Sequence, residues 1–206
     1  MTLRGENTRQ RLIDATTALV RQLGYANVTT RAIAAAADVA EGTLYRHFAD
    51  KRSLFMAAVM ERNAPILAAS ASLPSLAGTG TVLGNLTTVL RTIALLQTDI
   101  VPLEQAMISD PTLLPTPGEG QQIPVGGPPF DVAQYLAAEQ SLGRVRADCD
   151  PTLAAVSLLA MLYGLGIHPL TGSALAESPM LDSAVRFFVN GVAETPGTTT
   201  RSDASS

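Results

Sequence analysis

The chain has 206 residues, 18 Asp/Glu against 14 Lys/Arg, a formal net charge of −4 and 47% hydrophobic residues, a size that suits a small head on a larger body. Its single cysteine, Cys149, excludes an internal disulfide, and the amino terminus MTLRGENTRQ has no apolar run to serve as a signal peptide, so a cytoplasmic protein is expected. The charge is uneven: residues 1–63 carry nine Lys/Arg and six Asp/Glu, a balance of +3, and residues 64–206 carry five and twelve, a balance of −7, so the acidic total hides a basic head.

The periodicity predicts a first helix over residues 6–23, with Leu12, Ala15, Thr16, Leu19, Val20 and Leu23 on one stripe and Gly24 as its stop. Arg9, Arg11 and Arg21 fall off that stripe, where reaching a DNA backbone and plain solvation are equally compatible with the sequence. From Thr29 to Leu54, TTRAIAAAADVAEGTLYRHFADKRSL reads as two short helices joined by a tight turn. Ile33, Ala34 and Ala37 on the first and Leu44 and Phe48 on the second recur at three- and four-residue intervals, giving each a core face. Asp38-Val39-Ala40 forms the turn, where Asp38 can take the left-handed backbone often supplied by glycine. Thr29 is placed to cap the second helix, which puts Thr30 and Arg31 on a first turn suited to phosphate.

Thr43, Tyr45, Arg46, His47 and Lys51 lie away from the Leu44/Phe48 side or at its end, and their hydroxyl, guanidinium, imidazole and ammonium groups suit phosphate oxygens and base edges. In this reading Thr30, Tyr45, His47 and Lys51 hold phosphates, while Arg31, Thr43 and Arg46 reach base edges. Asp50 caps a fourth helix with Leu54, Phe55, Ala58 and Val59 inward, and a kink or break at Asn63–Pro65 divides a head, 1–63, from a body, 64–194.

The body is aliphatic and sparsely charged. Between Ala64 and Thr98 the only ionisable side chain is Arg91, which predicts a helix over residues 81–98 buried around most of its circumference. Pro102 opens a short helix to Ser109, and residues 110–127, rich in Pro and Gly, read as a long loop, a spacer or a flap. Pro128-Pro129 starts a helix with Phe130, Ala133, Leu136 and Ala137 inward, ending at Gly143. Asp150 caps and Pro151 begins a helix without Asp, Glu, Lys or Arg as far as Pro169; its flanking prolines and internal Gly164 and Gly166 favour burial between protein surfaces over a membrane span. His168 reads as a helix C-terminal cap, and Cys149, between Asp148 and Asp150, as an inert thiol. Ser178-Pro179 caps a last helix with Leu181, Ala184, Val185, Phe188, Val189 and Val192 on its stripe, and residues 195–206 form a tail expected to be disordered. Two adjacent apolar C-terminal helices suggest a symmetric four-helix interface between two copies.

Thr29-Thr30-Arg31-x-Ile33-Ala34, Val39-x-x-Gly42-Thr43-Leu44-Tyr45-x-His47-Phe48 and Lys51-x-x-Leu54 together resemble the DNA-binding domain of the tetracycline-repressor (TetR) family of bacterial transcription regulators. The resemblance covers about the first sixty residues; beyond them only the layout is similar. It implies an all-α fold: a three-helix helix-turn-helix head followed by a larger helical ligand-binding and dimerisation domain. It further implies a homodimer through the last two helices, double-stranded operator DNA and a small-molecule effector as partners, and DNA contacts from Thr30, Arg31, Glu41, Gly42, Thr43, Tyr45, Arg46, His47 and Lys51. Two positions depart from the pattern: Asp38 for the common turn glycine, and Glu41, an anion where the family faces DNA. Glu41 either accepts from a cytosine amino group, lies solvated, or pairs with Arg46, the last two being favoured.

Enzyme chemistry is not expected. Only two histidines are present, His47 and His168, and neither a Ser-His-Asp set, a metal cluster nor a Walker loop is legible, so no cofactor and no metal are expected. The body's shortage of Arg and Lys predicts a neutral or cationic, mostly apolar ligand walled by Leu95, Leu96, Met107, Phe130, Tyr135 and Met161. The expected function is a dimeric, ligand-responsive repressor; the alternative is a DNA-bound regulator controlled by a protein partner.

Overall fold

The computed structural model describes residues 3–113, 126–167 and 172–193. His168, most of the 110–127 loop and the 195–206 tail lie outside the described residues. Among those described the helices are α1 (Leu3–Leu23), α2 (Thr30–Ala36), α3 (Glu41–His47), α4 (Lys51–Ala71), α5 (Val82–Ser109), α6 (Pro128–Ser141), α7 (Pro151–Ile167) and α8 (Pro179–Val192), and there is no strand. The fold is all-α. No single described helix is long and apolar enough to cross a membrane.

The caps follow from local chemistry. Thr29 accepts from the Ala32 amide, Asp50 and Ser53 form a reciprocal capping box, Asp150 Oδ1 accepts from Thr152 and Leu153, and Ser178 accepts from Met180. The head core is Leu12, Ile13, Val20, Ile33, Leu44 and Phe55, with Phe48 at its edge. Ile13 is fully buried although it lies beside the expected stripe, whereas Leu23 is exposed.

Two prolines behave differently. The break expected at Asn63–Pro65 is absent: α4 runs unbroken through Pro65, so the 63/64 boundary falls inside a helix. Pro65 is exposed, and burial of Ile66 and Ser70 just beyond it holds the helix against one lost backbone bond. Around Pro102 the chain instead turns by 72° between Val82–Gln97 and Asp99–Ser109. Thr98 is the residue whose carbonyl the Pro102 ring crowds and deprives of a donor.

The body differs from expectation in which faces are inside. Val82, Leu86, Val89, Leu90, Ile93 and Ala94 of α5 are buried, but Thr88, Thr92 and Leu95 are exposed, so burial covers one side and not most of the circumference. On α6 the inward residues are Asp131, Val132, Tyr135, Leu136 and Glu139, while Phe130 and Ala137 face out. The inward acids are each engaged. Ser70 Oγ donates to Asp131 at 2.5 Å. The Gly78 amide donates to Glu139 at 3.3 Å, and Arg144 Nε stands 3.2 Å from its other oxygen. Helix α6 ends in a Schellman motif: Gly143, at φ +69, and Arg144 donate to Gln140 and Glu139 carbonyls at 3.0 and 2.9 Å. Arg91, the lone charge of its stretch, pairs with Asp182 and donates to the Ala176 carbonyl, tying α5 to α8.

Candidate nucleic-acid interface and ligand cleft

The α2–α3 turn closes as a Schellman motif built on aspartate. Asp38 sits at φ +52, and the Asp38 and Val39 amides donate to the Ala35 and Ala34 carbonyls at 3.1 and 3.0 Å. Arg11 of α1 donates to the Asp38 carbonyl at 3.1 Å and to its carboxylate at 3.2 Å, so this arginine serves the turn. Arg9 lies 5.3 Å from the Phe48 ring centroid and faces Glu61, and Arg21 pairs with Asp99 of α5 at 3.3 Å. Arg9, Arg11 and Arg21 thus each have a partner inside the chain.

Most sequence-chosen DNA residues converge on one face. Arg31, Gly42, Tyr45 and Arg46 are exposed, and Thr30, Glu41, Thr43 and His47 are half-buried beside them. Tyr45 donates to Thr30 Oγ1 at 3.4 Å, and Thr30 donates to Glu41 at 2.7 Å, a relay joining α2 to α3. Glu41 also occupies the first turn of α3, where an anion offsets the positive helix end. Its partner is Thr30 rather than the expected Arg46, which donates to Thr43 Oγ1 at 3.0 Å. A Cβ added at Gly42 would meet nothing within 4 Å, so no packing inside the chain requires glycine there.

Lys51 is placed differently from its neighbours. Its Nζ donates to the Tyr25 and Val28 carbonyls at 3.1 and 3.0 Å and lies 4.0 Å from the Tyr25 ring centroid. The ammonium therefore clamps the loop between α1 and α2, and Tyr25 in turn packs on Phe55 with ring centroids 4.7 Å apart. Nothing in the sequence separates this inward lysine from an outward one; only the nearness of Tyr25 to a capped helix start hints at it.

The body holds a cleft of about 480 Å³, a volume in the small-molecule range. Its walls come from α4 (Val59, Met60, Asn63, Ile66, Leu67), α5 (Ile93, Gln97, Glu104), the start of α6 (Gly126 to Pro129) and α7 (Leu159, Tyr163). None of the six sequence-chosen ligand residues lines it. Leu95 and Phe130 are exposed, Leu96, Met107 and Met161 are half-buried against the core, and Tyr135 is fully buried with its hydroxyl accepting from Asn85 at 3.1 Å. Burial pushes the Tyr135 phenol up to about 12, which marks it as a core residue. In the cleft, burial raises the Glu104 carboxyl above the usual carboxylate range; burial and then the Glu104 charge raise the Tyr163 phenol. A larger depression of about 610 Å³ lies on the head, but Arg9, Asp50, Arg52 and Glu61 make its wall strongly charged. Burial, then Asp148 and Asp150, push the Cys149 thiol up, as befits an inert cysteine.

Residues 12–58 match the family model of bacterial regulatory proteins, tetR family. Over 51 residues, 25% of this chain, the sequence is 51% identical to the HTH-type transcriptional repressor KstR of Rhodococcus jostii (strain RHA1), and the match spans only 24% of that repressor's length. The fold extends further. A TetR-family regulator from Mesorhizobium loti MAFF303099 superposes with a TM-score of 0.69 at 21% identity, covering 94% of this chain and 100% of that one. SmeT, the repressor of the Stenotrophomonas maltophilia multidrug efflux pump SmeDEF, gives 0.68 at 21% identity over 93% of this chain and 96% of its own. Residues 12–58 thus carry the signature of the tetR family of bacterial regulatory proteins, and the chain as a whole shares the fold of these solved regulators.

Proposed function

We propose that the protein is a cytoplasmic, dimeric transcriptional repressor, a binding protein rather than an enzyme, whose head holds double-stranded operator DNA and whose body takes a small, mostly apolar, neutral or cationic effector. The observation that carries the reading is the α2–α3 pair, where exposed Arg31, Tyr45 and Arg46 and half-buried Thr43 and His47 flank a turn closed at Asp38. Thr30, Tyr45 and His47 suit phosphates; Arg31, Thr43 and Arg46 suit base edges. Glu41 works from within the interface by holding Thr30 in place.

The dimer is supported by what the single chain leaves uncovered. Leu153, Val156, Ala160, Gly164 and Ile167 form an exposed stripe on α7, and Met180 and Phe187 extend one on α8, with Phe187 81% exposed. Such apolar stripes on adjacent helices fit a two-fold four-helix packing with small residues at its centre. Effector control is favoured over a protein partner because the cleft is concave and mostly apolar. Related folds are known with small molecules: a SmeT–triclosan complex and a Saccharomonospora viridis regulator in complex with choline.

Selection of bound sequences from a random duplex pool tests the function. A defined operator should emerge, and Thr43→Ala should change the preference at one base position while Tyr45→Phe weakens binding to all sequences alike. Recovery of no preferred sequence would refute the reading.

A further inference from the structure

We infer that the body cleft selects a protonated amine carried on an apolar body, an inference that rests on reading the cleft as the effector site. Glu104 is the one charged side chain among the described residues that line it. That carboxylate is half-buried and has no cationic partner among the described residues, although an unpaired desolvated charge is costly. A neutral occupant leaves this cost in place, whereas an ammonium removes it. A primary ammonium also donates N–H groups to that carboxylate, whereas a quaternary ammonium has none to donate.

Tyr163 completes the polar side. Its phenol feels the Glu104 charge, and its ring offers a face to a cation. Ile93, Leu67 and Leu159 also line the cleft and suit a compact hydrocarbon body. A bare metal ion is a poor alternative, because one carboxylate and one amide oxygen fall short of the six or more oxygens that a hard cation gathers.

The full-length protein is titrated with matched pairs that differ only in the polar group: 1-adamantanamine and 1-adamantanol, cyclohexylamine and cyclohexanol, and benzylamine and benzyl alcohol. Each is followed by calorimetry. In at least one pair the amine should bind about tenfold or more tightly than the alcohol, and its trimethylammonium analogue should bind more weakly than the amine. Glu104→Gln, nearly isosteric, should abolish the preference by bringing amine affinity down to that of the alcohol. Leu159→Trp, or the rim substitution Met60→Trp if the first lowers the melting temperature, should remove binding of both members. Equal affinities that Trp substitution abolishes would leave the cleft as the effector site and overturn the amine. Binding that survives both Trp variants would overturn the cleft itself. A preference that persists in Glu104→Gln, or none in any pair, would overturn the inference.

Discussion

Lys51→Met keeps the aliphatic stem of the clamp and deletes its ammonium. The three donors of that ammonium have two carbonyl acceptors, Tyr25 and Val28, and one aromatic face, so none is left over for a phosphate. Hydrogen bonds to charged groups contribute about 1.5 to 3 kcal/mol each when buried, but Lys51 is half-buried and water can replace it at the carbonyls, so about 2 kcal/mol is a fair total for both. The Tyr25 face adds about 0.5 to 1 kcal/mol. For a chain of this length each kcal/mol moves the midpoint by about 2 to 4 °C, so the variant should melt about 5 to 12 °C lower. Its dependence of operator affinity on salt should match that of the parent, since no phosphate contact has been removed. Differential scanning calorimetry and filter binding across a salt series read the two quantities. An unchanged midpoint together with a salt slope smaller by about one would show that Lys51 serves DNA and not the loop.

Gly42→Ala should leave the melting temperature unchanged or slightly higher, because alanine favours helix by up to about 1 kcal/mol and its Cβ meets nothing in the chain. Operator affinity should fall about tenfold as the methyl crowds the duplex, and undiminished affinity would remove Gly42 from the interface. Phe187→Asp should convert the dimer to monomers in sedimentation equilibrium and abolish binding to a two-fold operator; a persistent dimer would place the interface elsewhere.

The elements legible in the sequence are those whose causes are local. Thr29, Asp50, Asp150 and Ser178 each cap a helix start with their own side chains, and Asp38 takes its left-handed turn as its chemistry allows. The head's candidate DNA face is legible for the same reason: Thr43, Tyr45 and Arg46 are placed by helix period. The phase of α6 is not, because Asp131 and Glu139 point inward to Ser70 and the Gly78 amide, groups far away in sequence, with Arg144 pairing the second oxygen of Glu139. An assignment that keeps acids outside therefore rotates this helix and sends Phe130, rather than Val132 and Tyr135, to the core. The body cleft is not legible for a related reason: four segments build it, and its most distinctive residue, Glu104, looks like an ordinary solvated acid.

The prolines decide where effector binding can act on the head. A joint at Pro65 would let α4 flex between cleft and head, but α4 is continuous there and carries both Val59 to Leu67 at the cleft and Lys51 at the head. Helix α5 is the bent one. Gln97 and Glu104, both on the cleft wall, flank its 72° turn, and between them Asp99 reaches Arg21 of α1. That exposed ion pair contributes at most about 1 kcal/mol, so coupling must come from the angle of the helix rather than from the pair alone. Pro102→Ala restores a donor for the Thr98 carbonyl and relieves a penalty of about 3 kcal/mol against a straight helix. It should open the bend and uncouple cleft occupancy from operator release, whereas Pro65→Ala should stabilise α4 and leave release intact. Fluorescence anisotropy of labelled operator, titrated with a cleft-binding amine, separates the two variants. Loss of release in Pro65→Ala with retention in Pro102→Ala would return the joint to α4.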